Sequence, residues 1–269
     1  MVRWSTQVPI SPVRFAVIGD VEPKPDPVFD NFERCVRAIN RLHSAGGAAF
    51  TAGIGDLVHA GKMEQYEVAT RILRTLKTPF YPIVGNEELC EGAERFLSFA
   101  REWNADPGEI PGVSYTKEVG GVRFIFASAM DRGKTFTEAE VEWIMREVER
   151  EPARPVIVFT HAPMAGVFPD AGERTMKNDL LDRVVAHERV RAVFSGHVHM
   201  DLDSTTTYVC DAHGVHHIHV PGVERTKVGA RHTPRFRWVT IDSGGGVLVR
   251  TYNVLEEAFE PGHEIRFSL

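Results

Sequence analysis

Apolar runs that stop abruptly at small and polar residues set the rhythm of this chain. Val13-Arg-Phe-Ala-Val-Ile18 reads as a buried strand ending at Gly19-Asp20-Val21-Glu22. Ala48 to Ile54 ends at Gly55-Asp56-Leu-Val-His59, and Pro79 to Val84 ends at Gly85-Asn86-Glu87-Glu88. Pro155-Val-Ile-Val-Phe159 ends at Thr160-His161, and Ala192-Val-Phe194 ends at Ser195-Gly196-His197-Val198-His199. Between these runs, helical apolar spacing predicts helices over Phe29–Ser44, about Met63–Leu76, Glu91–Trp103, Thr137–Arg150 and Asn178–His187. Thr137-Glu-Ala-Glu140 has the pattern of a capping box. Val113–Val119 and Val122–Ala127 read as a hairpin turning at Gly120-Gly121. The C-terminal part reads as short β segments over Thr206–Cys210, Val215–Val220, Phe236–Ile241 and Val247–Tyr252.

Near-continuous apolar strands alternating with helices imply an α/β protein whose sheet is covered on both faces. In parallel sheets, ligands and reacting groups gather at the carboxyl ends of the strands. Asp20, Asp56, Asn86, His161, His197 and His199 are therefore candidates for one site. In an extended segment His197 and His199 point the same way, and Gly196 lets the backbone turn there. Carboxylates, an amide oxygen and imidazoles make a mixed oxygen and nitrogen ligand set suited to manganese, iron or zinc. The set is too large for one tetrahedral zinc, and two metals sharing a bridging carboxylate would use all of it.

The ordered motifs Gly19-Asp20, Gly55-Asp56, Gly85-Asn86, His161 and Gly196-His197-Val198-His199 resemble those of calcineurin-like metallophosphoesterases. The resemblance implies a four-layer αββα sandwich with a dinuclear centre at the sheet edges. It implies that Asp20, Asp56 and His199 hold one divalent or trivalent metal ion. Asp56 (bridging), Asn86, His161 and His197 would hold the second. The implied activity is hydrolysis of a phosphate mono- or diester by a metal-activated water, Asn86 also touching substrate. Two positions depart from the family pattern. The first motif is usually Asp-x-His, and Glu22 stands in place of the histidine as a candidate metal ligand. The third is usually Gly-Asn-His, and Glu87 stands where that histidine protonates the leaving group or steadies the phosphate. Glu87 is expected to be an ionised acceptor, because nearby cations favour a charged carboxylate. The competing expectation is a binding or scaffold protein that has the fold without the catalysis.

Composition narrows the field. The 269 residues are 43% hydrophobic and carry 31 basic against 37 acidic side chains, a net charge of −6 without a basic run. That balance argues against a nucleic-acid partner and a nuclease, and leaves a small-molecule phosphate ester as the expected one. Cys35, Cys90 and Cys210 are widely spaced and form no metal or disulfide pattern. The N-terminal stretch lacks a leader's apolar core and no segment has membrane length, so a cytoplasmic protein with one domain over residues 1–269 is expected. The oligomeric state leaves no mark on the sequence.

The remaining polar groups divide more evenly. Arg174 and Lys177, in the loop after His161, are candidate substrate contacts against the alternative of solvated surface charge. Glu88 reads as a carboxylate in the first turn of a helix, favoured there by the dipole, and His59 as a half-exposed loop residue. His213, His216, His217 and His219 imitate a second metal cluster, but strand histidines with local partners are the simpler expectation.

Overall fold

Phe124 and Phe126 face one way along their strand and Ile125 faces the other, and this two-residue period decides the layering. The computed structural model describes residues 8–151 and 154–269; residues 1–7, where a leader was sought, lie outside it. In chain order the first elements are β1 (Val13–Ile18), α1 (Asp30–Gly46), β2 (Phe50–Gly53), α2 (Met63–Leu73), β3 (Phe80–Pro82) and α3 (Ala93–Glu102). The hairpin β4 (Tyr115–Val119) and β5 (Val122–Phe126) follows, then α4 (Glu138–Glu149), β6 (Val156–Phe159), α5 (Asp182–Val185) and β7 (Val190–Ser195). Five strands close the chain: β8 (Tyr208–Cys210), β9 (His216–His219), β10 (Arg235–Ile241), β11 (Gly246–Asn253) and β12 (Ala258–Ser268).

The strands form two six-stranded sheets, ordered β12-β11-β10-β1-β2-β3 and β4-β5-β6-β7-β9-β8. Aromatic rings lock the sheets face to face. Phe15 of β1 lies 5.3 Å from Phe124 and 6.1 Å from Phe159, and Phe50 of β2 lies 6.2 Å from Phe126. On the outer face of the second sheet, Ile125, Val156 and Val158 pack with Val141, Ile144 and Val148 of α4 and with Val184 and Val185 of α5. Phe32, Val36 and Ile39 of α1 bury their stripe in the larger core of the first sheet. The result is the expected αββα sandwich.

Thr137 caps α4 as its sequence predicts: the Glu140 carboxylate accepts the Thr137 N–H at 2.7 Å, and Thr137 Oγ1 accepts the Glu140 N–H. Two elements differ from expectation. The helix predicted over Asn178–His187 is one turn, because burying Leu181, Val184 and Val185 needs no more, and the Asn178 side chain is tied to the Phe136 carbonyl. Strand β12 was not expected, since it is mostly exposed and Pro261-Gly262 interrupts any alternation. Among the described residues, no helix is long and apolar enough to cross a membrane.

What positions the site is strand direction. β1, β2 and β3 run parallel, as do β6 and β7, so the residues following these five strands gather along two sheet edges. Asp20 and His197 join those edges directly: both Asp20 carboxylate oxygens accept the His197 N–H, at 3.0 and 2.8 Å.

Candidate metal centre

Four of the residues at this edge have left-handed backbone: Asp20 and Asp56 with φ of 51°, His197 with 65° and His199 with 50°. Such angles strain residues other than glycine and persist where surrounding contacts over-determine them. Here the contacts are backbone hydrogen bonds. Asp20 N–H donates to Gly55 O at 3.0 Å, and Val21 and Glu22 N–H both donate to Asp56 O. Gly196 N–H donates to His161 O at 2.8 Å. Glycines allow the close approach: a Cβ on Gly85 would lie 2.3 Å from Asp56 Oδ1, and one on Gly196 would lie 2.5 Å from Asp20 Oδ2. The extended geometry expected for His197 and His199 is therefore not adopted. His197 turns to His161, and His199 turns to Asp20 and Glu22.

The side chains form two overlapping groups. Asp56, His161 and His197 bring ligand-type atoms within 4.8 Å of one another, and so do Asp20, Asp56 and His199. Asp56 belongs to both. All five are buried. Asn86 joins the first group, its Oδ1 lying 3.3 Å from His161 Nε2. The imidazoles are aimed from behind: His161 Nδ1 lies 2.8 Å from the Ile54 carbonyl, and His199 Nδ1 lies 3.2 Å from the Arg225 carbonyl. A carbonyl can only accept, so each Nδ1 carries the hydrogen and each Nε2 lone pair is left for the site.

These residues fit cations. His197 Nδ1 and His161 Nε2 face each other at 3.1 Å, close enough for one ion to be reached by both rings. Burial disfavours charge on His161, but Asp56 outweighs it and raises its pKa to about 9, while burial and then His161 press His197 down to about 2. Asp56 Oδ2, His199 Nε2 and Glu22 Oε2 are buried and make no hydrogen bond, although each lies within 3.5 Å of an oppositely disposed group. Buried polar atoms without partners carry a cost that a shared cation would remove.

Around this centre stand the two carboxylates of the departing motifs, together with cations that no motif announced. Glu22 is fully buried and meets His199 Nε2 at 3.0 Å, Lys227 Nζ at 2.9 Å, Lys24 Nζ at 2.9 Å and the Arg225 guanidinium. Burial would raise its pKa, but His199 and the lysines hold it far below the carboxylate range. Glu87 accepts from Lys24 Nζ at 3.1 Å and the Ala60 N–H at 2.8 Å, and His59 Nδ1 lies 2.8 Å away. The ammonium and the amide both donate to it, so its carboxyl oxygens work here as acceptors. His59 therefore does reach the site, and with Glu22 and Glu87 it makes a third group of ligand-type atoms within 4.8 Å.

Glu88 stands in the first turn of a short 3-10 helix, Glu88–Glu91, as expected, but the helix dipole is not its main partner. It is fully buried and accepts four amides, from Gly85 and Asp56 on Oε2 and from Leu57 and Val58 on Oε1. It thereby ties the Asn86 loop to the Asp56 loop, whose Oδ1 in turn accepts the Glu87 N–H at 2.9 Å.

Arg174 is exposed and joins none of these groups. Lys177 is exposed as well and donates to the Glu173 carbonyl, but it also lines a cavity of about 270 Å³ with Asp131, Arg132, Lys134 and Thr135. That loop abuts the centre: a Cβ on Gly133 would lie 2.5 Å from Asn86 N. The histidines of β9 have the local partners expected of them. His217 pairs with Asp211 at 2.9 Å, His216 Nδ1 lies 2.8 Å from the Tyr208 hydroxyl, and His219 Nε2 accepts the Met200 N–H.

A calcineurin-like phosphoesterase family model matches residues 13–201. Serine/threonine-protein phosphatase CPPED1 of Mus musculus is 26% identical over 196 residues, which cover 64% of this chain and 60% of that protein. The probable glycerophosphodiester phosphodiesterase GpdQ of Arcobacter nitrofigilis is 24% identical over 172 residues, 61% of each chain. The match thus spans about three-fifths of the length of these curated relatives. A dimetal phosphatase from Danio rerio superposes with a TM-score of 0.72 at 13% identity, over 97% of this chain and 99% of that one, a likeness of fold. With a family match running from β1 through His199, and both candidate ligand groups inside it, this chain belongs to the calcineurin-like phosphoesterases.

Proposed function

We propose that the protein hydrolyses a small-molecule phosphate ester at a centre of two metal ions. The observation that carries this reading is the place of Asp56 in both buried ligand groups, with one carboxylate oxygen left without a hydrogen bond. Asp20, Glu22, Asp56 and His199 would hold one ion; Asp56, Asn86, His161 and His197 would hold the other. The donor set suits manganese, iron or zinc. The chemistry such ions supply is neutralisation of phosphoryl oxygens and acidity for the attacking water. The chain's own part is positional. Ile54 and Arg225 carbonyls fix two imidazoles, Glu88 fixes the Asp56 and Asn86 loops, and the left-handed backbone aims both aspartates inward. Asn86, half-buried beside His161, is placed to touch substrate as well. Relatives named as a protein phosphatase and a phosphodiesterase support ester cleavage on this scaffold. The reading carries with it a cytoplasmic setting.

Metal analysis followed by a panel of aryl phosphates, aryl diesters, alkyl phosphates and phosphoanhydrides with added manganese tests the proposal. The expected result is two metals per chain and turnover of at least one class. Stoichiometric metal without turnover of any ester would favour a binding or scaffold protein, a reading to which the pairing of Glu22 and Glu87 with the chain's own cations lends support.

A further inference from the structure

The loop after β9 is built onto the candidate metal centre. Val223 N–H donates to Asp20 O at 3.2 Å and Lys227 N–H to His199 O at 2.9 Å, while Arg225 O faces His199 Nδ1. Its Glu224 turns away and accepts the Phe32 N–H and the Asn31 side chain, each at 2.9 Å, at the start of α1. Arg225 and Lys227 turn inward to Glu22. From the opposite side, the loop after β1 brings Lys24 to the same carboxylate. Its backbone is held by Gln65, whose Nε2 donates to Pro23 O at 2.9 Å. Between the two loops lies a cavity of about 230 Å³, lined by Pro23, Lys24, Pro25, Asp26, Val28, Glu224 and Arg225.

Three cations converge here. Lys24, Arg225 and Lys227 all meet Glu22 and Lys24 also meets Glu87, while of the two further carboxylates that line the cavity Glu224 is engaged by the start of α1 and Asp26 is exposed. Arg225 Nε is buried and has no hydrogen-bond partner, so the guanidinium is only partly used by Glu22. The three side chains are 24–31% exposed, which leaves them within reach of a ligand in the cleft. A fixed guanidinium beside two ammonium groups is a phosphate-binding arrangement.

We propose that Lys24, Arg225 and Lys227 form a second-anion subsite beside the metal centre, so that the substrate carries a further phosphate group besides the one cleaved. This rests on the reading of the centre as a phosphoesterase site, and it selects within that class. Small phosphoric esters with a second phosphoryl group bind across both places. Simple monophosphates fill only the reacting one.

Calorimetric titration of the metal-loaded protein with 1,3-propanediol bisphosphate and with propyl phosphate, at fixed free manganese, reads the subsite directly. The bisphosphate should bind about tenfold or more tightly than the monophosphate, the scale of one well-made charged hydrogen bond or more. Arg225→Gln and Lys227→Gln should each bring the two affinities to within about threefold, with the monophosphate little changed, and Arg225→Lys should keep most of the preference. Equal affinities in the wild type would overturn the proposal. So would variants that weaken both ligands alike, since the cations would then serve Glu22 or the reacting phosphate alone. Hydrolysis of p-nitrophenyl phosphate by the same preparations is read separately. Its absence would count against the phosphoesterase reading while leaving the affinity ratio interpretable.

Discussion

Lys24 Nζ lies 3.1 Å from Glu87 Oε1, and the same ammonium meets Glu22 Oε2 at 2.9 Å. One lysine thus joins both carboxylates that stand where the family pattern has histidine. The Lys24 ammonium and the Ala60 amide donate to Glu87, which places its oxygens as acceptors rather than as a proton source for a leaving group. Esters whose leaving groups need no protonation, aryl phosphates and phosphoanhydrides, should accordingly be turned over best. Glu87→His should narrow the gap between aryl and alkyl phosphates by about tenfold or more, given the ~10²–10⁴ that a positioned general acid contributes. A wild-type rate almost independent of leaving-group pKa, with the variant slower on every ester, would show that Glu87 already works as the acid.

Glu88 should matter to stability more than any other carboxylate outside the ligand groups. Burial and then Asp56 push its pKa up to about 8, and its four amide donors work in the other direction. Glu88→Gln sets an NH₂ group against one pair of these amides and leaves two buried donors unpaired. Each such donor costs about 1–3 kcal/mol, so the variant should lose roughly 2–6 kcal/mol in urea unfolding. A loss under about 1 kcal/mol would mean that the loops are held by something else.

Lys177 and Arg174 are separable by kinetics. Lys177 shares a cavity with Lys134 on the loop that packs against Asn86, whereas Arg174 is exposed and touches no group of the centre. Lys177→Ala should raise KM about threefold with kcat nearly unchanged, the signature of uniform binding. Arg174→Ala should leave both constants as they are. The reverse pattern would place the substrate on the other side of this loop.

The clustering of the candidate ligands was legible in the sequence because each follows a strand whose apolar run ends at a marked point, and parallel strands bring such points together whatever their distance along the chain. Lys24, Arg225 and Lys227 were not legible for the opposite reason. They lie in irregular loops about 200 residues apart and meet only through Glu22, so no periodicity or spacing joins them. His59 was missed similarly, since its partner Glu87 follows a different strand. Glu88 does stand in the first turn of a short helix, but its burial and its four amide partners come from the Gly85 and Asp56–Val58 backbone and were not legible locally. The His197 and His199 pair shows a third limit. Alternation gives directions only while the backbone is extended, and both residues are left-handed.

His217 and Asp211 offer a test of the expectation that the β9 histidines have structural partners. Burial works against charge on Asp211, but hydrogen bonds from His217 and from the amides of Val215 and His213 outweigh it, and its pKa is lowered. A lowered carboxyl stabilises the fold above its unfolded pKa and loses that contribution as pH falls through the folded value. Asp211→Asn should therefore cost about 0.5–1 kcal/mol at pH 7, the scale of a partly exposed ion pair, and its deficit against wild type should shrink toward pH 3. A deficit that stays constant over this range would remove the charge from the explanation.

Asp56 should be the least replaceable residue of the chain. Burial opposes its ionised form, yet the facing His161 holds its pKa below the ordinary value, so the carboxylate is charged and ready for a cation. Nearby stand the buried carboxylates of Asp20 and Glu22. Ions that bind the folded state and not the unfolded one stabilise it by about 2.7 kcal/mol at a hundred times their Kd. For a chain of this size that is a rise in Tm of roughly 5–10 °C on adding manganese, reversed by a chelator. Asp56→Asn removes the one group common to both ligand sets, so it should abolish the metal-dependent rise, empty both sites by metal analysis and lower turnover by more than the roughly 10–100-fold typical of a group that only supports a ligand. The lowered pKa marks the Asp56 charge as net stabilising toward His161, so without metal the Tm of the neutral variant should lie below that of the stripped wild type. A variant that kept two metals per chain and near-normal rates would show that the two groups do not share Asp56, and the dinuclear assignment would fall with it.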